Sequence, residues 1–346
     1  MPERKSPGFP LKKIEWGAEM HGQAGQAARR LRWTLSVVTQ PAWITLAVLA
    51  IGAVMCLISP AFRTYDNIYN DARNFAFIAI MAMGQMTVII TGGIDLSVGA
   101  VMGLTGIVTG LVLQAGYPLW VGVIAGLGVA LLCGLINGIA VAKLNLSPFI
   151  VTLGMLSVAR SQALVLSNNK MVYQFGPDEQ LFVAIGGGDL FGIPSIVIVM
   201  VAIGVVLTIL LNHSRWGRYL YALGSNEHAS RLTGIPVEAV KISAYMFSSL
   251  TAGIAAILMV GWLGAVTNAL GTAYELRVIA STVIGGVDLM GGIGTAYGAI
   301  IGAALIEVVR NALLLAGVDP YWQGTFVGVV IACAVLLERL RHRRSD

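Results

Sequence analysis

The residues of this chain best placed to do chemistry sit in a repeated pentapeptide. GGIDL at Gly92–Leu96 returns as GGVDL at Gly285–Leu289, each time directly after an apolar stretch. Aligning the copies sets Gly92, Gly93, Asp95 and Leu96 on Gly285, Gly286, Asp288 and Leu289, with Gly99 on Gly292. A glycine pair lets the backbone turn where a Cβ would clash. An aspartate at a membrane boundary must find water, a cation or backbone donors. Two readings follow. Matched acids can bind a cation or proton, or the copies are helix-end turns set by packing.

Other polar groups fall inside apolar stretches. Gln85, Asn137 and Asn268 are uncharged amides that can hydrogen-bond hydroxyls of a solute or bridge neighbouring helices. Arg160 also lies in such a stretch, and Glu307 and Arg310, three apart, share a helix face and read as a structural ion pair. No catalytic constellation emerges. His21, His213, His228 and His342 are scattered, and no HExxH, GxSxG or CxxC spacing occurs. No GxxxxGK[ST] loop is present to cradle phosphates. Cys56, Cys133 and Cys333 lie in apolar runs and read as small packing residues, and no metal site is expected.

The elements that must position these groups are membrane spans. The 346 residues are 57% hydrophobic and only 11% charged, where a soluble domain carries about 25% charged residues. The fold class expected is an all-α polytopic membrane protein of about ten transmembrane helices with an internal repeat. The 42 glycines within apolar runs indicate closely packed helices rather than a barrel. Spans are predicted near 41–59, 74–91, 97–115, 119–142, 148–167, 194–212, 242–263, 274–287, 293–314 and 322–338. The eighth is too short unless it begins earlier or is re-entrant. Trp262, Tyr274, Tyr321 and Trp322, near predicted outer ends, read as interface-belt aromatics.

Net charge is +5, concentrated at the ends: Lys12, Lys13, Arg29, Arg30 and Arg32 before the first span, and Arg339, Arg341, Arg343 and Arg344 after the last. Such clusters stay in the cytoplasm and abut lipid rather than nucleic acid. Residues 1–40 form a basic cytoplasmic extension without a cleavable signal, 41–338 the transmembrane domain, and 339–346 a basic cytoplasmic tail. Ten spans put the loop 213–241 in the cytoplasm and the acidic loop 168–193 outside. Both GG[IV]DL turns then fall on the cytoplasmic side, six spans apart, which makes the repeat parallel; an odd separation would make it inverted, so the span count alone decides the orientation.

Within the loop 213–241, Asn226 is a plausible N-cap, with Glu227 in the first turn of a short helix running to about Thr233. Gly234 ends it and Pro236 prevents its resumption. The segment suits docking into a groove on a partner, and equally an ordinary amphipathic connector. The order GR…ALGSNEHASRLTGI…V…K…Y, after TGGIDLSVG at Thr91–Gly99 and SPFIVTLGMLSVAR at Ser147–Arg160, resembles the membrane-spanning permease of ribose-type sugar ABC importers. The likeness covers about residues 41–338 and includes Asp95, Leu96, Ser97, Asn226, Ala229, Leu232, Gly234 and Ile235. Departures are slight: Thr233 stands where Ser is commoner, and the basic extension is longer than usual.

The resemblance implies a permease working with ATP-binding cassette subunits, a periplasmic sugar-binding protein and a second permease, identical or paralogous, in the bacterial inner membrane. Ser225, Asn226, Glu227, Ala229, Ser230, Arg231, Leu232, Thr233 and Gly234 would form the coupling helix seated in each ATPase. Gly92, Gly93, Asp95, Leu96, Ser97, Gly285, Gly286, Asp288 and Leu289 would form bends that gate access. Gln85, Asn137 and Asn268 are path candidates. The chain itself would be no enzyme and bind no cofactor, with ATP and Mg on the partner. The alternative is an ion-driven secondary transporter using Asp95 and Asp288.

Overall fold

The computed structural model describes residues 41–319 and positions 322, 324, 325, 328 and 329. The two basic ends and most of the predicted tenth span lie outside the described residues. Seven described helices are long and apolar enough to cross a membrane. They are α1 (Pro41–Ile58), α2 (Tyr65–Ile90), α4 (Leu119–Ala142), α5 (Pro148–Leu166), α7 (Ser195–His213), α10 (Val237–Leu263) and α12 (Ala296–Leu315). Two shorter helices, α3 (Val98–Gln114) and α11 (Tyr274–Ile284), take the predicted third and eighth places. Short α6 (Glu179–Gly187) lies between α5 and α7, while α8 (Arg215–Ser225) and α9 (Glu227–Leu232) lie between α7 and α10. The chain is an all-α polytopic membrane protein. Its second helix begins nine residues earlier than expected, because Asp66, Asp71 and Arg73 sit on it rather than before it.

Helix α2 is the axis. From Ala76 to Ile90 every side chain is buried, so the helix is apolar all round rather than amphipathic. Helix α4 shows how its neighbours close in. Gly122, Gly126, Ala130, Gly134 and Gly138 recur every four residues and form one stripe of small side chains. The upper part of the stripe meets α3 and the lower part meets α10. A Cβ at Gly134 would lie 2.7 Å from the Tyr245 carbonyl oxygen and 2.8 Å from Met246 Cα. These backbones touch.

Two two-stranded ribbons mark the end of the bundle away from α8 and α9, here the distal end. Strand β1 (Val172–Tyr173) pairs antiparallel with β4 (Ala265–Val266). Strand β2 (Asp189–Leu190) pairs antiparallel with β3 (Ile193–Pro194). The acids of this end are occupied locally. Asp178 Oδ2 accepts from the Leu119 amide at 2.7 Å, and Glu179 Oε2 from the Phe175 amide at 3.0 Å. Trp262 is not a belt residue. It stacks on Phe77, 5.8 Å between ring centroids, and the Arg73 guanidinium lies 4.8 Å over its ring. Glu307 does pair with Arg310, whose Nε donates to Oε1 at 2.8 Å.

Replacing Gly134 with valine should force α4 off α10 and cost about 1–3 kcal/mol. Gly128→Ala, whose Cβ meets nothing within 4 Å, should be neutral. Thermal unfolding of both variants in detergent checks the pair, and equal stability would contradict the packing.

Candidate functional site

Neither short helix crosses the bundle alone. At 1.5 Å per residue, the 17 residues of α3 span about 26 Å and the 11 of α11 about 17 Å, against a hydrocarbon core of about 30 Å. Non-helical chain completes each crossing. Residues 92–97 rise from the α8–α9 end, here the basal end, to the start of α3. Residues 264–273 descend from the distal end beside α3: Val266 packs at Gly106 and Gly110, Leu270 at Gly103, and Gly271 at Gly99. The N-termini of α3 and α11 therefore meet within the bundle. A Cβ at Gly99 would collide with the Gly271 carbonyl oxygen.

Non-helical backbone within a membrane bundle needs partners inside the protein. The first segment finds them in residues singled out from sequence. With the Gln85 amide assigned so that Nε2 faces the Asp95 carbonyl, it pairs with both backbone groups of Asp95, each at 3.1 Å. The wholly buried Asp95 carboxylate holds the start of α3. Its Oδ1 accepts from the Ser97 amide at 2.9 Å and the Ser97 hydroxyl at 2.6 Å. Its Oδ2 accepts from Ser248 Oγ at 3.1 Å, and Asn137 Nδ2 donates to Ser97 Oγ at 2.9 Å. Ser248 lies 11 residues into α10, about 16 Å along that helix, which places Asp95 well inside the bundle.

Gln85 and Asn137 thus come together with Asp95 and Ser97, fully buried. They brace the segment and present nothing to a solute in this conformation. Asn268 stands apart near the distal end, where its Nδ2 donates to Asn169 Oδ1 at 2.6 Å.

Both GG[IV]DL turns lie at the basal end, Gly92 against Met290 and Gly291 just past the second copy, but their structural register differs from the sequence alignment by one residue. Helix α2 ends with Gly92 in the left-handed region, its amide bonded to Ile89 O and that of Gly93 to Val88 O. Helix α11 ends the same way, with left-handed Gly286 bonded to Val283 O and the Val287 amide to Thr282 O. These are two Schellman caps, and Gly92 is equivalent to Gly286 rather than Gly285. The acids are therefore not equivalent. Asp95 is buried, while half-exposed Asp288 caps its own turn, with Oδ1 accepting from the Met290 amide at 2.8 Å. The flanks differ too: the broken crossing follows the first turn and precedes the second. No group of three or more metal-ligating side chains occurs among the described residues.

The two turns meet α8. The Gly292 amide donates to the Ile90 carbonyl at 2.9 Å. A Cβ at Gly224, in the last turn of α8, would collide with that same carbonyl and with the Gly292 amide. Tyr221 Oη donates to the Gly294 carbonyl at 2.7 Å. Burial pushes the Tyr221 phenol up to about 12, so it remains a donor throughout the neutral range. Beyond Gly224, the Asn226 side chain caps α9 by accepting from the Ala229 amide at 2.9 Å. Arg231 and Lys241 pair with Glu227 at 3.5 and 2.7 Å. Leu232 is left 77% exposed and left-handed Gly234 ends the element. Sequence reading missed Ser248, Tyr221 and Gly224. The Ser248–Ser249 pair inside an apolar run was the available signal for the first.

Asp95→Asn keeps an oxygen for Ser97 and turns the other position into a donor for Ser248, so it should change stability by less than about 1 kcal/mol. Asp95→Leu strands several buried donors, at about 1–3 kcal/mol each. Thermal stabilities in detergent compare the two, and an asparagine variant as unstable as the leucine one would show that the charge itself is needed.

Comparison with known proteins gives the geometry its setting. Residues 67–335 match the family described as branched-chain amino acid transport system / permease component. A probable ABC transporter permease protein of Sinorhizobium fredii is 39% identical over 302 residues, covering 87% of this chain and 88% of that protein. The ribose import permease protein of Escherichia coli K12 is 38% identical over 298 residues, 86% of this chain and 93% of the relative. The fructose import permease protein of Rhizobium meliloti is 34% identical over 309 residues, 87% and 86% of the two chains. The ion-driven alternative finds no support among these relatives. With most of its length matched, the chain belongs to the branched-chain amino acid transport system / permease component family.

Proposed function

We propose that the chain is the permease subunit of an ATP-driven importer that carries a monosaccharide or related small polyol across the bacterial inner membrane. The observation that carries this reading is the basal element α8–α9. It presents Leu232 with His228 and Ala229 to the outside, and it meets the chain at Ile90 and Gly292 by direct backbone approach at Gly224, beside the Tyr221–Gly294 hydrogen bond. The charges around α9 are largely paired with one another at the surface, where solvent screening leaves such bridges weak.

On this reading the basal end is cytoplasmic and both termini lie there. Ser225–Gly234 seats in a partner ATPase, which holds ATP and Mg, and this chain binds no cofactor. A periplasmic sugar-binding protein docks at the distal end, and a second permease, identical or paralogous, completes the membrane core. Movement of α9 reaches the membrane through Gly224, where the α8 backbone rests directly on the backbone at Ile90 and Gly292. The turns at Gly92–Ser97 and Gly285–Leu289 then shift the two broken crossings. The ribose and fructose relatives favour a sugar over the amino acid of the family description.

Leu232→Asp should abolish co-purification of the ATP-hydrolysing subunit from native membrane while the chain stays folded. Gly234→Val forces a β-branched residue into the left-handed region at φ +80°. It should lower stimulated ATP hydrolysis at least fivefold without loss of folded chain. Pull-down and ATPase measurements read both, and unchanged association together with unchanged hydrolysis would remove the coupling role.

A further inference from the structure

The residues first suited to a solute, Gln85 and Asn137, are sealed inside, so a passage must run over another surface. Helix α5 is span-length and apolar in composition, yet Gly154, Ser157, Ser161 and Gln162 all lie exposed on it. Between them, half-buried Arg160 reaches across to the non-helical stretch beside α3. Its Nη1 donates to the carbonyls of Asn268 and Leu270 at 2.9 and 2.8 Å. Among the described residues Nε and Nη2 have no hydrogen-bond acceptor.

Facing this group is Glu275, in the first turn of α11 and within Coulombic reach of Arg160. Its Oε2 is buried beside Gly99 and has no hydrogen-bond partner among the described residues. Thr272, one turn earlier, is exposed. This is where the N-termini of two half-helices converge, the arrangement that in transporters places binding groups near mid-membrane. Half-exposed charges at such depth cannot face hydrocarbon without severe cost and call for water or protein opposite them.

We infer that the face around Arg160 and Glu275, with Ser157, Ser161 and Thr272, lines the passage of a neutral polyhydroxylated solute. The inference rests on the permease reading and deepens it, with the second permease as the opposite wall. The chemistry suits the cargo. An arginine at Gly103 and a glutamate at Gly99, one turn of α3 apart, offer donors and an acceptor to sugar hydroxyls while cancelling net charge. The solute is therefore met by several weak hydrogen bonds and released.

The test uses single cysteines at Ser157, Ser161 and Thr272, with Cys56, Cys133 and Cys333 changed to serine, in the importer complex reconstituted into vesicles. Leu132→Cys, on an exposed apolar position of α4, serves as the lipid-facing control. Labelling by a charged, water-soluble maleimide should run at least tenfold faster at the three sites than at the control. Trapping with ATP and vanadate should change the rate at least threefold, and ribose or fructose should slow it. Rates equal to the control, or fast rates indifferent to nucleotide while the complex still hydrolyses ATP, would overturn the passage and leave the permease reading standing. A complex lacking any ATP-hydrolysing subunit would overturn both.

Discussion

Non-helical backbone inside a membrane bundle is the constraint on which the rest of this structure depends. Water is excluded there, so each free amide and carbonyl needs a partner supplied by the protein. Gln85 meets the need at Asp95 by standing in for a neighbouring peptide, accepting from the amide and donating to the carbonyl. The Asp95 carboxylate then secures Ser97 at the start of α3. Arg160 does the same for the second broken crossing by gathering the carbonyls of Asn268 and Leu270. Gln85, Asp95 and Arg160, side chains that look like ligands for a solute, all bind the chain's own backbone.

Breaking two crossings gives the bundle parts that can move. A continuous helix with every backbone bond satisfied resists local bending, whereas a capped turn changes dihedral angles at a few residues. The caps at Gly92 and Gly286 sit at the basal end, where the Met290–Gly292 stretch that follows the second cap packs on Ile90, Gly92 and the last turn of α8. Glycine at position 224 permits that contact. The element that a partner can grip and the segments that can bend are thus mechanically adjacent, with α2, buried on every side from Ala76 to Ile90, running between them and the core.

The bundle was legible in the sequence because its signal is long apolar runs, which lipid demands irrespective of detail. Nine of the ten predicted spans correspond to described helices, and the tenth falls largely outside the described residues. Less legible was the depth at which helix gives way to extended chain. Gly92–Ser97 reads as a short loop between two spans, yet it climbs into the bundle because Gln85 and Ser248, on two other helices, offer it partners. The one-residue offset between the turns was hidden for a related reason. The pentapeptides match by residue type, but a Schellman cap is set by where the preceding helix runs out, and α2 ends one position differently from α11. Gly224 stood within the ALGSNEHASRLTGI stretch but its role could not be read, since one glycine near a helix end looks like any other until its neighbours are known.

The most direct test of the account is uptake by the purified complex in sealed vesicles, with labelled ribose and fructose offered alongside the binding protein. Uptake that requires ATP and the ATP-hydrolysing subunit, and persists when a protonophore collapses ion gradients, is the predicted result. Uptake by this chain alone, driven by an ion gradient and indifferent to ATP, would contradict it.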